Sequence, residues 1–277
     1  MTDKHVPMSN GKIFFENDAK NEQQEFDVDF IELLASVIME VHVLQEDRDY
    51  VNCHYKIKKY LERVLEARIS DISVISYPDL HEYIEKTNIG TTELYLALAK
   101  AFELEADIHI AEKSESGSIR VYLISLSFYI DTLLSDSDLL PENYEEKINA
   151  LVDIIGLYEM TDWSLFRLFK FYEITNHFGK AEDLLFELLS MASLMETKSI
   201  DHIDNKPKIK MSRVEIITEG VAFYNRLLMK SAVELAAGNL PMDEVLDGLN
   251  QVMKLKDLYE KLEIKKKQED LIAFLKS

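Results

Sequence analysis

The sequence contains one cysteine, Cys53, in 277 residues. A single thiol excludes an intramolecular disulfide framework and points to a reducing cytoplasm. Proline and glycine are also scarce, at 5 and 8 residues. Many short strands need many tight turns, so this scarcity favours long helices joined by brief connections. No uninterrupted apolar run is long enough to cross a bilayer. The longest notable one, VYLISLSFYI at 121–130, ends at Asp131 and falls short of the ~20 residues a spanning helix needs. The first residues, MTDKHVPMSNGKIFFENDAK, hold no apolar core of the kind a secretory leader requires. Positive charge is in deficit: 31 Lys and Arg stand against 51 Asp and Glu, a net charge of −20. So acidic a surface repels phosphate and anionic lipid at long range, which sets nucleic acid and membranes aside as partners. The one basic cluster, KLEIKKK at 261–267, is followed by Glu269 and Asp270 and reads as a solvated helix face.

What is present is helical periodicity. At 47% hydrophobic and 30% charged, the chain has the composition of a globular protein. Residues 1–25 are polar and without sustained period, and are expected to form a flexible arm. Residues 26–277 are expected to form a single helical-repeat domain. Its best loop, TKSIDHIDNKPKIK at 197–210, is a candidate boundary between sub-bundles. Phe30, Leu33, Leu34, Val37, Val41 and Leu44 follow the spacing of one helix face and predict a helix over 27–45. A second helix over 49–69 follows after EDRD, a connection short enough to make the two antiparallel neighbours. Further helices are predicted from Pro78 to 86 and over 92–113, 118–134, 141–159, 163–177 and 180–196. The 118–134 helix is apolar almost all round and is expected to be heavily buried. Asp162 is a candidate cap for the helix from Trp163. Ser212 and Glu215 have the spacing of a capping box, which predicts a long helix to about 237. GNLP at 238–241 then offers Gly238 for a left-handed helix end and Pro241 for the next first turn. A helix over 241–261 and a short terminal one complete the chain. ISVIS at 72–76 and KIFF at 12–15 are the candidate strands, and both are discounted.

One stretch carries more than periodicity: LFRLFKFYEITNHFGKAEDLLFELLSM at 165–191. Leu165, Leu168 and Tyr172 share a face of the first helix, and Phe178 plugs the corner. Ala181, nine positions after Tyr172, lies where the second helix crosses close. Leu185 and Leu188 face the next layer. The hairpin resembles a tetratricopeptide repeat, which has the same aromatic-to-alanine spacing. It departs from that pattern at Phe169, where a small residue is usual, and in lacking a proline after the second helix. The resemblance implies an all-α fold of antiparallel hairpins stacked as a right-handed superhelix. GKAEDLLFELL at 179–189 and GVAFYNRLLMKSAVELAAGNLPMDEVLDGLNQV at 220–252, with the N-terminal helix DFIELLASVI, also resemble a family of uncharacterised bacterial helical proteins. That resemblance implies a bacterial cytoplasmic protein and no particular activity.

Motifs for chemistry are missing. Glu105 and His109, Glu173 and His177, and His81 and Glu85 each share a helix face at i, i+4. Each pair can offer two metal ligands, but helix-surface contacts are the default, so no metal is expected. Asp201, His202 and Asp204 form a solvated turn. SDSD at 135–138 lacks the loop length, central glycine and terminal glutamate of a calcium loop. Cys53 and His54 are sequential and point about 100° apart on a helix, so they form no dyad. NGK at 10–12 and FGK at 178–180 lack the other glycines of a phosphate loop. No catalytic residue and no cofactor is expected.

The remaining feature is a mixed surface. In the tetratricopeptide-like register Trp163, Phe166, Lys170 and Glu173 line the concave side, with Arg167 adjacent. Aromatics and cations together suit an extended peptide or acidic tail, although Trp163 and Phe166 can equally pack on the preceding helix. The expectation is a non-catalytic adaptor that binds a protein or peptide, or a second copy of itself. The alternatives are a peptide-sensing regulator without its own DNA-binding module, and an all-helical enzyme without a recognisable motif.

Overall fold

The computed structural model describes residues 29–69, 75–87, 89–135, 143–156, 160–197 and 211–276. Among them are eleven helices and no strand, so the fold is all-α. The 1–25 arm, KIFF, most of ISVIS, the helix start at Pro141, most of SDSD and the 197–210 loop lie outside the described residues, apart from Thr197.

The chain divides into two units, Met1–Glu159 and Met160–Ser277. The first holds α1 (Phe30–Glu46), α2 (Tyr50–Val64), α3 (Tyr77–Thr87), α4 (Thr92–Ala111), α5 (Glu115–Ser135) and α6 (Tyr144–Ile155). Helices α4 and α5 are its centre. The α1–α2 hairpin packs on α4, while α3 and α6 pack on α5. Ala97, Ala101 and Ala106 on α4 are wholly buried, which lets the two central helices approach closely. Helix α5 is 21 residues, long and apolar enough to cross a membrane by length and composition, yet 72% of its most apolar window is buried inside the fold. Two of its buried hydroxyls bond to nearby carbonyls. Ser125 donates to the Ala99 carbonyl at 2.7 Å and Thr132 to that of Phe128 at 2.9 Å, as burial demands.

The second unit holds α7 (Asp162–Ile174), α8 (Phe178–Thr197), α9 (Arg213–Leu227), α10 (Ala232–Ala237) and α11 (Met242–Lys276). Helices α7 and α8 form the hairpin read from sequence. Phe178 is 1% exposed and Ala181 0%. Leu185 faces the next layer, where its methyl groups sit 3.2–3.3 Å from the place a side chain on Gly220 of α9 would begin. Phe169, large where a repeat is usually small, packs edge-on against Phe223 of α9 at 5.2 Å.

Five helix ends close by one device. The amides of Asp49, Ala67, Ser114, His177 and Leu240 each donate to a carbonyl five residues back, at 2.8–3.1 Å. The residue before each, Arg48, Glu66, Lys113, Asn176 or Asn239, is left-handed with φ between 49° and 64°. This is the hydrogen-bonded helix end that usually employs glycine. The expectation of Gly238 in that role is corrected: Gly238 has φ −81°, and Asn239 turns the corner. Gly238 is needed for space instead. A β-carbon there would meet the Phe178 ring and the Asn176 carbonyl, and its own carbonyl accepts from the Gly179 amide at 2.9 Å.

Other local differences have equally local causes. The helix from Ser212 stops at Leu227, because Ser231 and Glu234 form a second capping box and begin α10. Thr161, not Asp162, caps α7. The Asp162 carboxylate accepts the Met211 amide at 3.3 Å instead, joining the start of α7 to the residue before the Ser212 cap. Helix α11 runs 35 residues without a break, where a helix to about 261 and a separate short one were expected.

Candidate functional site

The predicted surface lies in the second unit. Trp163, Phe166, Arg167, Lys170 and Glu173 are all half-buried, in alternation with the wholly buried Leu165, Leu168, Phe169, Phe171 and Tyr172. They form one stripe at i, i+3, i+4, i+7 and i+10, as one helix face requires. The Trp163 and Phe166 rings lie 6.5 Å apart. The Arg167 guanidinium sits 5.2 Å from the Trp163 ring, and the Lys170 ammonium 5.6 Å from Phe166, both within cation–π range. The indole Nε1 is buried and meets no hydrogen-bond partner among the described residues.

The charges of this stripe are held by α9. Lys170 binds Glu219 directly and lies 3.5 Å from Glu173. Arg226 grips both Glu173 oxygens at 2.5 and 2.9 Å and donates to Glu219 at 2.6 Å. Burial works against the charge of Glu219, but the hydrogen bonds from Lys170 and Arg226 outweigh it and hold the carboxyl below the usual range. Lys170 and Arg226 thus share the two carboxylates of Glu173 and Glu219.

A second constellation lies in the first unit and draws on two helices. Glu105, His109 and Glu112 occupy one face of α4 and its C-terminal cap. His54 comes from α2, whose buried stripe Cys53, Ile57, Tyr60, Leu61 and Val64 leaves His54 on the flank toward α4. His54 Nδ1 is 2.8 Å from Glu105 Oε1 and its Nε2 is 3.0 Å from Glu112 Oε2. His109 repeats the arrangement more loosely, with Nε2 3.6 Å from Glu105 Oε1 and Nδ1 3.8 Å from Glu112 Oε2. The two rings are 4.8 Å apart. Glu105 is 2% exposed, and its Oε2 is buried without a hydrogen-bond partner among the described residues. The hydrogen bond to Glu105 pushes the His54 imidazole up to about 9; burial opposes this, and Glu112 adds to it. Cys53, next in chain, is wholly buried and donates to the Val41 carbonyl at 3.7 Å. Burial first, then Asp49, raises its thiol, so it is a core residue and not a nucleophile.

The Glu105–His109 pair is visible in the sequence, but His54 is not, because it stands 51 residues away and only the packing of α2 on α4 delivers it. Of the other pairs, His81 and Glu85 lie 3.6 Å apart beside the buried Asp131, which accepts from the Tyr77 hydroxyl. Glu173 is taken by Arg226, and His177 Nδ1 lies 3.0 Å from the Thr175 hydroxyl.

These features define an all-α protein of helical hairpins. The chain belongs to a family of unknown function, DUF6483, whose sequence pattern matches residues 21–257. No curated protein and no solved structure matches it.

Proposed function

We propose that the protein is a non-catalytic, tetratricopeptide-like scaffold of the cytoplasm, and that it holds a protein or peptide segment along the α7 face. The observation that carries this reading is the lattice of Lys170, Glu219, Arg226 and Glu173. It ties α7 to α9, the first helices of successive hairpins, along one half-buried side. Such a lattice presets the side chains beside it, and preset contacts bind with less ordering cost. Trp163 and Phe166 offer apolar area, and the Arg167 guanidinium lies 5.2 Å from the Trp163 ring. With Lys170 and Arg226 already engaged by Glu219 and Glu173, the face suits a segment anchored by an apolar side chain more than a strongly acidic tail.

The test is selection of random displayed peptides on the full chain, followed by solution binding. Selected peptides are expected to lose at least tenfold in affinity for Trp163→Ala or Phe166→Ala, with helix content unchanged. Peptides that bind wild type and both variants equally, or a selection that enriches none, would overturn the reading.

A further inference from the structure

We propose that His54, Glu105 and His109 form a binding site for one divalent transition-metal ion of the zinc class. The three offer one donor atom each, all within 4.8 Å of one another. Donors at 2.0–2.1 Å from a tetrahedral zinc lie about 3.3 Å apart. The separations of Glu105 Oε1 from His54 Nδ1 and from His109 Nε2, 2.8 and 3.6 Å, bracket that value. The two imidazole donors, within 4.8 Å of one another, close onto the ion by side-chain rotation.

A second observation points the same way. Glu105 is almost wholly buried, and its Oε2 has no donor among the described residues. A carboxylate oxygen left so is costly, and the other oxygen of the same group faces the His54 and His109 nitrogens. A cation shared with the two imidazoles compensates the buried charge of this carboxylate. The ion takes the place of the proton held between His54 Nδ1 and Glu105 Oε1.

Glu112 then has a separate part. It lies within hydrogen-bond reach of His54 Nε2, at 3.0 Å, whereas His109 Nδ1, 3.8 Å away, meets no hydrogen-bond partner among the described residues. A carboxylate that accepts from the far nitrogen of a ligating histidine fixes its tautomer and orientation. Glu112 is thus a positioning residue. Two imidazoles among three donors select zinc, cobalt, nickel or copper over magnesium and calcium, which prefer all-oxygen cages. Three protein donors leave a fourth position for solvent or a ligand atom. This site lies in the first unit and stands independently of the α7 face in the second.

Cobalt(II) is the probe, added to dialysed full-length protein. One equivalent is expected to bind with the visible ligand-field absorption of a low-coordinate nitrogen–oxygen site. Zinc(II) should displace it, and millimolar magnesium or calcium should not. His54→Ala and His109→Ala should abolish the absorption, His177→Ala should leave it intact, and Glu112→Gln should weaken binding about 10–100-fold. Should a histidine variant fail to fold, X-ray absorption on the wild-type cobalt protein counts the bound imidazoles directly. No absorption in the wild type, absorption that survives His109→Ala, or fewer than two bound imidazoles would overturn the site.

Discussion

Phe178 and Gly238 meet across two hairpin corners, with the ring lying where a side chain on residue 238 would begin. Because the obstruction involves a wholly buried ring and the Asn176 backbone carbonyl, neither can swing aside cheaply. Gly238→Ala is therefore expected to destabilise the protein by about 2–3 kcal/mol, the overpacking range. Asn239→Gly should lie within about 0.5 kcal/mol of wild type, since the left-handed corner stays accessible. Denaturant unfolding separates the two; equal effects would show that the corner is not set by crowding at Gly238.

The break between α9 and α10 depends on Ser231. Its hydroxyl accepts the Glu234 amide at 3.2 Å, and the Glu234 carboxylate accepts the Ser231 amide at 2.8 Å. Ser231→Ala should cost about 1 kcal/mol. Hydrogen exchange should show faster exchange at the Glu234 amide, with the Glu215 amide, capped by Ser212, unchanged.

The lattice on the α7 face has a pH signature. The Glu219 carboxyl is held below its ordinary value in the folded state. Its contribution is thus full above the unfolded value of about 4.3 and is lost as pH falls through the folded one. Glu219→Gln should be less stable than wild type near neutral pH, and the gap should narrow below about pH 4. Paired denaturant titrations at pH 7 and in acid read this directly. A gap that widens in acid would contradict the assigned pairing.

How much was legible beforehand varies with the range of the interaction. The α7–α8 hairpin was readable because its cues are local: Tyr172, Phe178 and Ala181 fall at fixed spacings, and all three are buried. That Trp163, Phe166, Arg167, Lys170 and Glu173 share one helix face is likewise a matter of local spacing. The partners of that face are not, since Arg226 and Glu219 stand about fifty residues away and carry no mark of their pairing. His54 was hidden for the same reason. Two further differences have distinct causes, one local and one long-range. SAVE at 231–234 repeats the spacing of SRVE at 212–215, yet apolar periodicity ran across it and suggested one long helix. Residue type alone points to Gly238 for the left-handed corner, whereas Phe178, sixty residues earlier, takes the room around it.

Cys53 makes the first unit observable on its own. The chain's sole thiol is 0% exposed and sits between α1 and α2, its hydrogen directed at the Val41 carbonyl. An alkylating reagent reaches it only when that hairpin parts. Under native conditions the labelling rate is then the chance of parting multiplied by the rate for a free thiol. The sole thiol lies in the first unit, so a single chemical clock reads the breathing of its α1–α2 hairpin.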